Sequence, residues 1–133
     1  ISEEALDLAI IKMVFQPLIE NAIYHGIKEK TGTGIIKIKI YWHVSYMDIH
    51  ILDNGIGMTG EQLLRLRDRL RGGSEPLSHI GLLNTSRRLV LTYGEASAVR
   101  LYSKYGSGTV VSFRIPAEKL PEESQERLRR PDY

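Results

Sequence analysis

Asp48 to Leu52 sets Ile49 and Ile51 on one side of a strand, and the chain then runs directly into Asp53-Asn54-Gly55-Ile56-Gly57-Met58. Period-two apolar spacing suits a half-buried strand, because successive side chains point to opposite faces. The glycines behind it tolerate positive φ and let backbone approach another group closely. A strand must therefore end here in a loop. Two readings of that loop stay open at this point: a turn that only reverses the chain, since Asn and Gly are turn residues, or backbone shaped around a ligand.

The rest of the chain has an α/β order. From Leu8 to Ile27 apolar residues recur at helical intervals (Ile11, Val14, Phe15, Leu18, Ile19, Ala22, Ile23), with Gly26 as the expected stop. Pro17 lacks an amide donor, so the helix is expected to begin near Gln16 or to kink there. A loop follows from Lys28 to Gly34. Ile36, Ile38, Ile40 and Trp42 alternate with Lys37, Lys39, Tyr41 and His43, which predicts a strand with one buried face, paired as a hairpin with Asp48 to Leu52 across Val44 to Met47. Glu61 to Arg71 reads as a short basic helix broken by Gly72-Gly73-Ser74-Glu75-Pro76, and the stretch up to Ser78 as a mobile cover. Gly81 to Tyr93 is a second amphipathic helix, with Leu82, Leu89, Val90 and Tyr93 inward and Gly94 ending it. Val99 to Tyr105 and Thr109 to Ile115 make a closing hairpin around Gly106-Ser107-Gly108.

With 133 residues and 42% hydrophobic content, the chain can bury one core of ordinary size. The expected division is a domain over 1–116 and a charged tail over 117–133, in which Glu118, Lys119, Glu122, Glu123, Glu126, Arg127, Arg129 and Arg130 crowd together. A formal net charge of +2 leaves no nucleic-acid footprint. Cysteine is absent, which removes disulfides, thiolate nucleophiles and Cys-based zinc sites and is compatible with a reducing compartment. No apolar run approaches the ~20 residues of a membrane helix, and no signal-peptide pattern opens the chain. Because the first residue is Ile1, a piece of a longer protein is expected, with any sensor or membrane span elsewhere.

Four stretches in order now carry a resemblance: Phe15-Gln16-Pro17-Leu18-Ile19-Glu20-Asn21-Ala22-Ile23-Tyr24-His25-Gly26, then Asp53 to Met58, then His79-Ile80-Gly81-Leu82-Leu83-Asn84, then Gly106-Ser107-Gly108-Thr109-Val110. Together they resemble the asparagine box, the two glycine boxes and the closing Gly-Thr of the ATP-binding domain of sensor histidine kinases, in the GHKL or Bergerat-fold superfamily. The asparagine box is most similar to the branch called LytS-like or YesM-like. The likeness covers about residues 10–116. It implies a two-layer α+β sandwich, with a mixed, largely antiparallel sheet and helices on one face.

The resemblance also implies a site. Asn21 corresponds to the residue that coordinates Mg²⁺ on the ATP phosphates, and a neutral amide oxygen suits a cation that takes most of its ligands from phosphate and water. Glu20 beside it is the second catalytic position, supporting the metal through water or merely ionised at the surface; His25 lies one turn on, on the same face. Asp53 corresponds to the adenine-reading carboxylate, which accepts from the exocyclic amine, while Gly55 and Gly57 make room for the base and Met58 follows them. Gly81 and Leu82 open a helix whose amides and dipole suit phosphate. Arg88 matches the arginine after the second glycine box, and Thr109 would fix water around adenine.

Three departures stand out. His79 occupies the place of a glycine, and Tyr24 that of a phosphate-contacting lysine, so charge would come from Arg88 or from Arg65, Arg67, Arg69 and Arg71. Pro17 occupies the place where ATPases of the gyrase or MutL type carry a general-base Glu, so slow hydrolysis is expected. None of His25, His43, His50 or His79 lies in the context of a phosphate acceptor. The expected activity is therefore that of a two-component protein-histidine kinase: this domain, cytoplasmic, binds MgATP and passes the γ-phosphate to a histidine on an upstream dimerisation domain and on to a response regulator. The expected parent is a homodimer in the cell membrane. A nucleotide-binding regulatory module without transfer is the second reading, separable by restoring the acceptor helices, and a GHKL ATPase of another type is the third, separable by steady ATP turnover without acceptor.

Overall fold

The computed structural model describes residues 13–27, 32–72 and 80–117. Four strands, β1 (Ile36–Trp42), β2 (Tyr46–Asp53), β3 (Arg100–Lys104) and β4 (Gly108–Pro116), form one sheet in the order β1-β2-β4-β3. Every described pairing is antiparallel. The two hairpins are local, whereas β2 and β4 are far apart in sequence and join through their apolar residues: Ile49 faces Phe113 and Ile51 faces Val111. All four are buried on one face together with Leu101 and Ile115. Each such side chain contributes about 1.5–3 kcal/mol when removed from water, so this strip holds the two hairpins in register.

Three helices cover that face, as expected for a two-layer sandwich. The first, α1, is α-helical over residues 13–21 and ends in a π-helical turn, Ala22–Ile27. Val14, Leu18 and Ala22, spaced four apart, are its buried stripe. Pro17 lies inside this helix, and Gly26 does not stop it, because the wider π turn carries it on to Ile27. Helix α2 (Gly60–Leu70) starts at Thr59, whose side chain accepts from the Gln62 amide while Gln62 accepts from the Thr59 amide, and it buries Leu63 and Leu66. Helix α3 (Ile80–Tyr93) buries Leu82, Leu83 and Leu89, with Val90 and Tyr93 half-buried, and ends at Gly94, whose φ is +103°. A short 3₁₀ turn (Glu95–Ser97) leads into β3. The Ser86 hydroxyl, buried in α3, accepts from the Val99 amide at 3.0 Å and ties the helix to that entry.

Strand β1 departs from the expectation of a buried face. Ile38, Ile40 and Trp42 keep 46%, 44% and 40% of their surface exposed. Their alternation is real, but β1 is an edge strand, and the described helices pack over β2, β3 and β4. Of the alternating set, Ile36 packs partly buried against the core. The start of the first helix at Leu8, the cover up to Ser78, His79 and the charged tail lie outside the described residues.

Candidate nucleotide site

The pairing register places Asp53 opposite Thr109, and Thr109 opposite Ser103. These three polar side chains therefore form a row across β2, β4 and β3, on the face that carries the core. Asp53 is half-buried. Its Oδ1 accepts from the Gly55 amide at 2.9 Å, and the Thr109 amide also donates to the carboxylate. Burial raises this carboxyl above the ordinary range of an aspartate, and the two amides pull part of that rise back. A partly dehydrated acceptor at a strand end suits a ligand that brings an N–H donor.

The glycine loop after Asp53 is held by the protein itself. Gly57 has φ +71°, and a Cβ there would stand 2.1 Å from the Lys104 carbonyl oxygen and 3.0 Å from that of Gly108. Gly108 has φ +121°, and its Cβ would stand 2.0 Å from the carbonyl oxygen of Asp53. Gly106 donates to the Ile56 carbonyl at 2.6 Å, and the Met58 amide donates to the Ser103 hydroxyl at 2.8 Å. The close approach that needs glycine at Gly57 is thus to the β3–β4 hairpin. Asn54 performs a second clasp, accepting from the Ile35 amide at 2.7 Å and donating to the Thr33 carbonyl at 3.1 Å, which ties the loop before β1 to the end of β2.

On α1, Glu20 is exposed and accepts from Gln16 at 3.2 Å, while Asn21 is partly exposed one residue on. His25 packs edge-on against Tyr24 with ring centroids 4.8 Å apart, and burial lowers its pKa, which favours the neutral imidazole. Helix α3 begins against α1: a Cβ on Gly81 would lie 3.9 Å from Pro17. Leu82 is fully buried, so its side chain belongs to the core and only its backbone is suited to a ligand. Arg88 reaches back to α1, with Nη1 3.4 Å from the Met13 carbonyl oxygen.

Asp53, Gly55, Gly57, Met58 and Thr109 are therefore brought together at one end of the sheet, and Asn21, Glu20, His25, Gly81 and Arg88 lie on two helices that meet at Pro17. The π turn of α1 packs against β2 and β4, the strands that carry Asp53 and Thr109. On α2, Arg65 pairs with Glu61 at 2.7 Å, and Arg67 donates to the Leu101 carbonyl. The sequence motifs assign no role to the side chains of Ser103 or Asn54. Ser103 was visible as a polar residue at an inward position after Val99 and Leu101.

A family model described as "Histidine kinase-, DNA gyrase B-, and HSP90-like ATPase" matches residues 7–119. The chain belongs to this family. Within the histidine kinase-, gyrase- and HSP90-like ATPases, it is 35% identical over 120 residues to Sensor protein kinase HptS of Staphylococcus aureus (strain USA300), an alignment that takes in 89% of this chain and 22% of that protein. The chain thus spans 22% of the length of that curated relative. Two solved structures share the fold. The histidine kinase domain of the Erythrobacter litoralis EL346 blue-light activated histidine kinase aligns with TM-score 0.58 at 19% identity, covering 90% of this chain and 46% of its own. The mycobacterial sensor histidine kinase MprB aligns with TM-score 0.51 at 19% identity, covering 75% and 70%. No helix of the described residues is long and apolar enough to cross a membrane.

Proposed function

We propose that the protein binds MgATP and acts as the catalytic domain of a sensor histidine kinase. In this reading residues 1–116 are the domain and 117–133 a tail, and the γ-phosphate goes to a histidine of an upstream dimerisation domain and then to a response regulator. A cytoplasmic domain on a homodimeric membrane protein completes the proposal. Its main support is the half-buried Asp53 carboxylate, held by the Gly55 and Thr109 amides at the end of β2. Such an anion is satisfied by the exocyclic amine of adenine and is repelled by a carbonyl at the same place.

The family membership and the sensor-kinase relative support the transfer step. Asn21 is the proposed ligand of Mg²⁺, with Glu20 near it, and the amides at Gly81 and Leu82 are proposed to receive phosphate at the start of a 14-residue helix. Among the described residues, no group of three or more His, Cys, Asp or Glu could hold a metal. One amide oxygen beside the phosphates of a nucleotide fits Mg²⁺, which keeps few protein ligands. When bound, the ion offsets charge on the phosphates. The remaining work of the chain is to hold base and phosphate so that the acceptor histidine meets the γ-phosphorus in line. With Pro17 four residues before Asn21, water lacks a general base there, and slow hydrolysis follows.

Calorimetric titration with ATP, ADP and GTP, with and without Mg²⁺, tests the reading. Adenine-selective binding that disappears in Asp53→Ala, with Mg²⁺ dependence that disappears in Asn21→Ala, is the expected result. A folded protein that binds no nucleotide would overturn it.

A further inference from the structure

The Ser103 hydroxyl sits among three partners. It accepts from the Met58 amide at 2.8 Å, donates to the Gly108 carbonyl at 2.9 Å, and lies 2.8 Å from the Thr109 hydroxyl. A serine hydroxyl has one proton and two lone pairs. A carbonyl oxygen can only accept, so the Ser103 proton is committed to Gly108. An amide can only donate, so one lone pair is committed to Met58. The bond to Thr109 must use the second lone pair, which makes Thr109 the donor in that pair. The Thr109 proton therefore points at Ser103, and what Oγ1 offers to any other group is lone pairs alone.

Thr109 is the register partner of Asp53. Two acceptors thus stand side by side at the end of the sheet: a carboxylate, and a hydroxyl that has been deprived of its freedom to donate. A free threonine hydroxyl would rotate to suit either a donor or an acceptor on a ligand.

We propose that Ser103 is a specificity-determining residue, which fixes Thr109 as an acceptor so that the site takes a base carrying an amino group and refuses one carrying a carbonyl in its place. This rests on the adenine reading given above and extends it to a residue that reaches the base only through Thr109. A carbonyl oxygen set against this pair meets lone pairs on both sides, and an unmatched buried polar group is what gives such sites their discrimination.

The test compares ADP with inosine diphosphate, whose base carries a carbonyl where adenine carries the amine. Wild-type protein is expected to prefer ADP. In Ser103→Ala the Thr109 hydroxyl is released to rotate, and the ADP-to-IDP affinity ratio should fall about three- to tenfold, mainly through a gain for IDP. Ser103→Thr keeps the hydroxyl and should keep the ratio. In a Thr109→Val background, Ser103→Ala should leave the ratio unchanged, because the group it acts through is gone. Ser103→Cys, of similar volume and with weaker hydrogen bonds, serves if circular dichroism shows that the alanine variant does not fold, and it should lower the ratio in the same direction. Equal weakening of ADP and IDP, or an unchanged ratio in a folded variant, overturns the inference while leaving the adenine reading in place. Wild-type protein that binds ADP and IDP alike overturns both.

Discussion

Arg88 on α3 caps Met13 on α1: its Nη1 stands 3.4 Å from the carbonyl oxygen that an amide at position 17 would otherwise engage. Pro17 has no such amide. An arginine expected from sequence to meet phosphate thus engages the gap that the proline leaves. Arg88→Ala is predicted to cost about 0.5–1 kcal/mol, since the contact is long and exposed. In a Pro17→Ala background the carbonyl regains an amide partner, and the cost of Arg88→Ala should shrink. Urea unfolding of the two single variants and the double variant measures the coupling.

Glycine substitutions should separate two kinds of position. Gly57→Ala and Gly108→Ala each place a Cβ within 2.1 Å of a backbone oxygen at positive φ, and each is predicted to destabilise by more than about 2 kcal/mol. Gly60 opens α2 with nothing within 4 Å of its Cβ position, so Gly60→Ala should be neutral or stabilising by up to about 1 kcal/mol. Thermal melts of the three variants decide it. Equal losses at all three would contradict the contacts described at Gly57 and Gly108.

His25 should make stability fall on mild acidification. Burial lowers its pKa below the ordinary 6.5 of a histidine, so the unfolded chain takes up a proton first as the pH drops. Stability from this residue is present above pH 6.5 and is lost as the pH falls from there toward the folded-state pKa. His25→Gln should flatten that part of the profile, as read from melting temperature against pH.

Asp53 should act in the opposite sense. Its raised pKa means that the unfolded chain ionises first as the pH climbs from 3.8, so its contribution to stability falls through that window. At neutral pH the ligand-free Asp53→Asn variant should be at least as stable as wild type, while adenine-nucleotide binding should weaken at least about tenfold. For wild type, binding should fade as acid protonates the carboxylate, with a midpoint above 3.8. Calorimetry from pH 4 to 8 measures both variants.

Much of this architecture could be read from the spacing of apolar residues. Val14, Leu18 and Ala22 on one helix stripe and Ile49 and Ile51 on one strand face are local patterns, and each is buried. What escaped was set by position in the assembled sheet. Ile38, Ile40 and Trp42 have the same period as Ile49 and Ile51 but lie at an edge, and no local pattern distinguishes an edge strand from a central one. Gly26 looked like a helix stop because a π turn has no sequence period of its own. The candidacy of Asp53 and the glycines after it is legible through their company, but Ser103 gains its partners only when β3 is laid beside β4. Its hydrogen-bond partners are 45, 5 and 6 residues away.

The bond from Gly106 to Ile56 has a mechanical meaning. Together with the amide of Met58 on Ser103, it fastens the glycine loop to the neighbouring hairpin, so the loop cannot lift without breaking both bonds. The loop end of the candidate site is therefore tied to that hairpin. In the proposed nucleotide site, loop and hairpin would shift as one piece when a ligand enters.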